Sequence, residues 1–416
     1  MSRPRGLIRR HRDFRWFWSG QAVSVMGTQV TAVALPLVAT LLLDARAGAV
    51  GAIAAATYLP NVVVPMLAGH WLETRRRRPA LIGADVVRAL ALAVVPLSVL
   101  LGFLSLPLLV VVAFVVGAAS VVFDVGSFAY VPGMVDDDDL PRANQALEGS
   151  LTVAQVAGPG FAGVLVQWLG PAVAVLVDSA SYIASLVGIT AARRPEPEPV
   201  VDSTERRKVL AGLRHLLGNP VLRALTIHAG VYNVGSQILM VNLLVWLVSD
   251  RQVSVGVYGL GLSAAGAGAF VGTMSVLRVS GRIGYGWTYV LALLLFTGVP
   301  LVLAALPMSG TALGVAVSAV WVVAGVGLGG ANVLSTTLRQ AAVPKAALAR
   351  SIGTYRFLIF GVIPLGSAAA GVIGETFGSR TGVAVGTVVM ALSAVPMVRR
   401  EVRGLHDPQD AVTTAD

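Results

Sequence analysis

The chain has 416 residues, of which 56% are hydrophobic and 12% charged. A soluble domain carries roughly 25% charged residues, so this composition excludes a water-soluble globule and indicates an integral membrane protein. Cysteine is absent, which excludes disulfides, thiolate metal sites and cysteine nucleophiles, and the net charge of +10 becomes a question of which side of a bilayer holds the basic residues.

A spanning helix takes about 20 apolar residues. Apolar runs interrupted by Gly, Pro and charge predict spans near 14–43, 48–72, 79–101, 107–128, 146–166, 171–192, 224–248, 254–276, 284–305, 310–334, 352–374 and 380–398. The expected fold class is an all-α membrane protein with 12 transmembrane helices in two six-helix halves. An N-terminal half, 1–192, and a C-terminal half, 224–398, flank a cytoplasmic linker, 193–223, and a tail, 399–416, closes the chain. Within the linker Asp202 can cap a helix with Glu205 at its third position, and Gly218 followed by Pro220 stops it. Val209, Leu210, Leu213, Leu216 and Leu217 form its apolar face, with Arg206, Arg207 and Lys208 at its polar start. Such a helix lies on the membrane surface, as an orienting linker or as a regulatory element.

With the N-terminus in the cytoplasm, every basic residue except Arg46, Arg251 and Arg380 falls in an inner segment or the span end beside it. The positive-inside rule then places both termini in the cytoplasm of a cell in whose membrane the chain is multi-pass. A basic chain can also suggest nucleic-acid binding, but basic residues recurring at alternate loops are explained by orientation, so no nucleic acid is expected. The first apolar run is too long for a secretory signal and eleven more follow it, so it is read as a span.

Sliding the chain against itself by 208 residues, half its length, aligns Met26-Gly27-Thr28-Gln29-Val30 with Val234-Gly235-Ser236-Gln237-Ile238. The same offset brings Val135, Leu140 and Arg142 onto Val343, Leu348 and Arg350, and Gly158, Gly163 and Val164 onto Gly366, Gly371 and Val372. Parallel repeats of six spans resemble the layout of major facilitator transporters, whose substrate site lies between the halves near the midplane.

Other stretches carry the same resemblance. Gly69-His70-Trp71-Leu72-Glu73-Thr74-Arg75-Arg76-Arg77-Arg78 resembles the loop signature between spans 2 and 3, with Glu73 in place of the usual Asp and Thr74 in place of the usual Arg. Gly158-Pro159-Gly160-Phe161-Ala162-Gly163 is similar to the Gly-Pro element of the superfamily's antiporters, here Gly158, Pro159 and Gly163. RDFRWFWSG (12–20), LPRANQAL (140–147), DSASYIAS (178–185) and LLGNPVLR (216–223) resemble the drug-exporting branch that contains macrolide and enterobactin exporters. The span-4 arginine of many twelve-span proton antiporters is replaced by Ala113.

The resemblance implies a secondary transporter, not an enzyme, that exports small hydrophobic or amphipathic compounds by proton antiport. A siderophore or other endogenous metabolite is the alternative cargo, and a lipid scramblase or membrane-embedded enzyme the alternative class. A monomer in the lipid bilayer is expected, with a small-molecule substrate and protons as partners and no cofactor. The resemblance further implies a conformational latch of Glu73, Arg77 and Asp124 that braces the halves in the outward-open state; a static ion-pair cluster is the plainer reading.

A proton-coupled exporter needs a carboxylate that loads and releases at working pH, and the candidates are Asp124, Glu148 and Asp178. Asp178, Ser181, Tyr182 and Ser185 share one helical face. By resemblance span 6 lies outside the central cavity, so Asp178 is open to a structural hydrogen-bonding role as well as to proton carriage, and Glu148 is equally ambiguous. Asp85 has Arg88 three residues on and reads as a neutralised acid. The expected substrate cavity draws on Gln21, Ser24, Thr28 and Gln29 of span 1 and Tyr232, Asn233, Ser236 and Gln237 of span 7. Neutral amides and aromatics suit a large amphipathic solute; alternatively Gln29 and Gln237 bond across the helix interface. The five histidines lack metal-ligand spacing, with His228 read as packed or interfacial, and Asp136 to Asp139 read as a solvated loop.

Overall fold

A computed structural model describes residues 10–62, 64, 76–192, 217–342, 348–405 and 407. Among these every regular element is a helix, as expected where a lipid solvent leaves backbone groups no partners but their own. The first six are α1 (Arg12–Leu42), α2 (Ala47–Tyr58), α3 (Arg77–Leu100), α4 (Leu106–Tyr130), α5 (Leu140–Leu169) and α6 (Pro171–Ala191). Then come α7 (Pro220–Val245), prolonged by a π turn at Trp246–Asp250, α8 (Val255–Ile283), and α9 (Tyr285–Leu293), prolonged by a π turn at Leu294–Gly298 and a 3-10 turn at Val299–Ala305. The last are α10 (Gly310–Ala342), α11 (Leu348–Gly361), α12 (Ile363–Phe377), α13 (Ser379–Ser393) and the short α14 (Arg400–Arg403). Pro364 opens α12, and its missing N–H and fixed φ separate it from α11.

Among the described residues eleven helices are long and apolar enough to cross a membrane. A shorter apolar helix covers Ala47–Val62, and most of the rest of the span expected at 48–72 lies outside the described residues, as do the signature loop with Glu73 and the linker helix from Asp202 to Leu216. Two expected boundaries change. The α5 helix starts at Leu140 rather than 146, so Glu148 stands about two turns inside it. The α7 helix starts at Pro220 rather than 224, because the Asn219 side chain accepts the backbone N–H of Val221 at 2.8 Å and of Leu222 at 3.1 Å, an N-cap followed by a proline at the first helical position.

The chain forms two compact units, residues 1–45 with 56–201, and residues 46–55 with 202–416. The core of the first includes Phe14, Phe17, Leu81, Phe123, Tyr130 and Ile189; that of the second includes Leu225, Tyr285, Tyr289, Leu334, Leu338 and Met397.

The turns carry the 208-residue period. Left-handed backbone occurs at Asp44 (φ 49°) and Gln252 (φ 56°), at Gly102 (φ 72°) and Gly310 (φ 58°), and at Gly170 (φ 82°) and Gly378 (φ 84°), three pairs each separated by that interval, with Gly284 beside them. Few residues other than glycine adopt this region, so the coincidence does not follow from a composition rich in Ala, Val, Leu and Gly. The helix contacts repeat as well: a Cβ on Gly158 would fall 2.4 Å from Gln29 Cβ, and one on Gly366 would fall 3.2 Å from Gln237 Cβ.

Candidate functional site

A buried polar region of the first unit lies where α6 crosses α1 and α3. A Cβ on Gly20 would meet the Ala184 carbonyl at 2.9 Å, and one on Gly188 would meet the Trp16 carbonyl at 2.5 Å. Small residues thus let the two backbones touch. Between them Gly27 faces Asp178 and Ser181, and a Cβ there would stand 2.4 Å from Asp178 Oδ1 and 2.2 Å from Ser181 Oγ.

This approach turns the polar face of α6 into the unit. Asp178 is 0% exposed, and its Oδ1 accepts the Ser181 hydroxyl at 2.8 Å. Asp85 on α3 is equally buried; its Oδ1 accepts Arg88 and its Oδ2 accepts the Ser185 hydroxyl at 2.7 Å. The Arg88 guanidinium carbon lies 4.2 Å from the ring centres of both Phe123, on α4, and Tyr182, so two aromatic faces replace its hydration. The Ser179 hydroxyl donates to the Ala89 carbonyl at 2.7 Å, tying α6 to α3. From α1, Gln21 Nε2 donates to Ser185 Oγ at 2.8 Å and Thr28 Oγ1 lies 3.2 Å from the Tyr182 hydroxyl. Asp178 Oδ2, Thr31 Oγ1 and Arg88 Nε are buried without a well-formed hydrogen bond, the Thr31 hydroxyl standing beside the Asp178 carboxyl. The cluster therefore holds two acids and one base. Asp85 is matched to Arg88, as its spacing predicted, and Asp178 is the surplus acid.

The offset of 208 supplies an internal comparison. In the second unit α7 crosses α13 just as closely: a Cβ on Gly235 would lie 2.7 Å from Met390 N, and one on Gly386 2.5 Å from Leu239 N. Here Gly386, Val389 and Met390 take the places of Asp178, Ser181 and Tyr182, while Leu239, Leu293 and Phe296 take those of Thr31, Asp85 and Arg88. Leu239, Leu293, Phe296 and Met390 are all buried. The first crossing holds two acids and a base where its mate has Gly386, Leu293 and Phe296, although His228, Thr387 and Ser393 keep the second crossing partly polar.

The other sequence-derived residues are spread more widely. Of the α1 set, Ser24 is buried, Gln21 and Thr28 bond to α6, and Gln29 is half-buried against Gly158 of α5. On α7, Asn233 donates to the Ile359 carbonyl on α11 at 2.8 Å and Gln237 to Ser367 Oγ on α12 at 2.9 Å. Tyr232 rests 4.6 Å from Phe296 between ring centres and Ser236 is half-buried. His228 is packed, its Nδ1 3.0 Å from the Ser393 carbonyl. Arg77 opens α3, Asp124 is exposed near the end of α4, and Glu148 is exposed on α5. Pro159 stands within α5, between buried Gly158 and Gly160 and a turn before buried Gly163.

A second cluster escaped the sequence reading. Asp139 is not solvated but 3% exposed. Its Oδ2 lies 2.9 Å from His11 Nε2 and 3.2 Å from Arg10, and its Oδ1 3.4 Å from Arg142. The hydrogen bond from His11, helped by the two guanidiniums, holds the Asp139 carboxyl below its ordinary range. His11, Asp136 and Asp139 lie close enough to share a cation, but Arg10 and Arg142 already supply the positive charge, and the group ties the start of α1 to the α4–α5 connection. Only the Asp139–Arg142 spacing was visible in the sequence; His11 lies 128 residues away.

A family model described as transmembrane secretion effector matches residues 8–414. The chain belongs to this family of major facilitator transporters. Relatives of this family member include YvqJ of Bacillus subtilis, a transporter of the same superfamily, 22% identical over 92% of this chain and 91% of that one. The Sinorhizobium fredii transporter y4rN is 25% identical over 86% of each. The multidrug efflux pump Tap of Mycolicibacterium fortuitum is 27% identical over 48% of this chain and 51% of its own. Among solved structures, a bacterial homologue of the iron transporter ferroportin in its inward-facing state aligns with a TM-score of 0.74 at 17% identity, covering 95% of this chain and 99% of the other. A bacterial homologue of the human lysosomal transporter Spinster aligns with a TM-score of 0.69 at 14% identity, covering 100% and 98%. These structures share the fold. The family member is thus a multi-pass membrane transporter of small molecules and not an enzyme.

Proposed function

We propose that this transporter exports small hydrophobic or amphipathic compounds across a cell membrane by proton antiport, as a monomer of twelve spans in two halves with both termini in the cytoplasm. The observation that carries the coupling is the surplus buried acid: within a bilayer an ionisable group is costly, and by default it marks a transport pathway or proton relay. The solute class is supported by the neutral amides and aromatics of α1 and α7, which offer no fixed charge to a sugar phosphate or other anion, and by the kinship with Tap over half of each chain. Asp124, Glu148 and Asp178 remain the acids that could load a proton, and Glu73, Arg77 and Asp124 the latch that favours the outward-open state.

Everted vesicles carrying the full chain test this reading. With ethidium as the probe, a respiration-driven pH gradient is expected to drive its accumulation, accompanied by release of internal protons and abolished by an uncoupler. Accumulation that ignores the uncoupler would remove antiport. Glu73→Gln at equal protein abundance is expected to slow transport, and an unchanged rate would remove the latch.

A further inference from the structure

We infer that Asp178, not Asp124 or Glu148, is the site that binds and releases the coupling proton, with the Asp85–Arg88 pair as its fixed counterpart; this deepens the antiport reading and rests on it. Charge balance is the first reason. The cluster encloses two carboxyls and a single guanidinium, all in the interior of the first unit. Arg88 is committed to Asp85, and Ser185 completes that carboxylate's shell. Asp178 has only hydroxyls for neighbours, Ser181 on Oδ1 with those of Thr31 and Tyr182 beside the carboxyl, and no cation of its own. A fully buried carboxylate with hydroxyls but no cation of its own is a costly arrangement, and a proton removes that charge. The buried Thr31 hydroxyl beside that carboxyl can donate to the carboxylate or accept from the acid, so the site accommodates both protonation states.

Packing identifies the ligand as a proton rather than a metal cation. A hard cation takes about six oxygen ligands, while Gly27 brings α1 so close that even a methyl group there would overlap Asp178 and Ser181. A proton needs no cavity. The internal repeat supplies the third reason. The α7–α13 crossing shows that the same close packing forms with Gly386, Val389 and Leu239. The charged groups at the α1–α6 crossing are therefore not required to hold the helices together, and their cost is left to be explained by function.

The charged and titratable groups around Asp178 are Asp85 and Arg88 from α3 and Tyr182 on its own helix, while α1 contributes the hydroxyls of Thr28 and Thr31 and the Gln21 amide. When the proton leaves for water, two carboxylates compete for one guanidinium clamped between Phe123 and Tyr182. That competition pulls on α6 relative to α3, so proton release changes the forces across this crossing. No bond other than the O–H is broken, and nothing is oxidised or reduced.

Infrared spectroscopy of the full chain in lipid tests the assignment without a transport substrate. At neutral pH the protein is expected to show the carbonyl stretch of a protonated carboxyl that disappears on alkaline titration. Asp178→Asn should abolish that band, and Asp124→Asn and Glu148→Gln should leave it. Should Asp178→Asn fail to fold, Asp178→Glu must shift the band and its titration midpoint. A band unchanged by either Asp178 variant overturns the assignment, as does one that collapses on adding sodium, which would make the site a metal site. If the band behaves as expected but ethidium accumulation ignores the uncoupler, the antiport reading falls while the proton site stands.

Discussion

Arg88 shows how one residue can dominate a buried site. Its charge is held by Asp85 and by two ring faces, so removing it strands Asp85 in the interior. Breaking one side of such a pair costs about 3–5 kcal/mol, whereas exchanging both partners for apolar residues is often neutral or better. The second unit already holds the exchanged version in Leu293 and Phe296. Arg88→Phe alone is therefore expected to lower the thermal unfolding midpoint of the detergent-purified protein by several degrees. Asp85→Leu combined with Arg88→Phe should recover most of the loss, and a double variant as unstable as the single one would count against a paired role. Much of this site was legible beforehand: the i, i+3, i+4, i+7 pattern placed Asp178, Ser181, Tyr182 and Ser185 on one face, and the spacing paired Asp85 with Arg88. The bond of Gln21 to Ser185, the rings around Arg88 and the burial of Asp139 were not legible, because each joins separate elements that no local period relates.

Single elements make sharper predictions where their ends are fixed by side chains. Asn219 satisfies two of the orphan N–H groups at the start of α7, so Asn219→Ala should cost about 1 kcal/mol, and Asn219→Ser should restore most of it in the same unfolding measurement. That start was readable from an Asn-Pro pair, yet the expected span followed hydropathy alone and began four residues late. Asp139 performs a similar task for the α4–α5 connection. Its folded carboxyl titrates below the ordinary value near 4 and so adds stability that is present above that pH and is lost as the pH falls through the lowered value. Unfolding midpoints of the wild type and Asp139→Asn should differ at neutral pH and converge as the solution is acidified below about pH 4. A gap that persists there would assign the role of Asp139 to packing.

For the whole molecule, composition and charge settled membrane residence and suggested the orientation, because alternate loops differ so sharply in Lys and Arg content. The natural absence of cysteine makes that orientation directly measurable. Ser105→Cys and Met308→Cys should react with an impermeant maleimide on intact cells, while Asp138→Cys and Asp407→Cys should react only after permeabilisation; the opposite pattern would invert the topology. What sequence could not supply was the contrast between the two crossings, since a repeat offset aligns positions without saying which of them touch. Glycine-rich identities at 208 residues hinted at duplication, and it was the backbone that made the hint concrete.

The left-handed turns have a practical side for anyone engineering or raising antibodies against this protein. At 44 and 252, 102 and 310, and 170 and 378 the chain reverses within a few residues, in a conformation that an inserted tag or fluorescent domain would have to abandon. Those connections give an antibody little to grip and an insertion little room. Fusions and epitopes belong instead away from these turns, in connections where lengthening the chain adds only a slowly growing loop entropy.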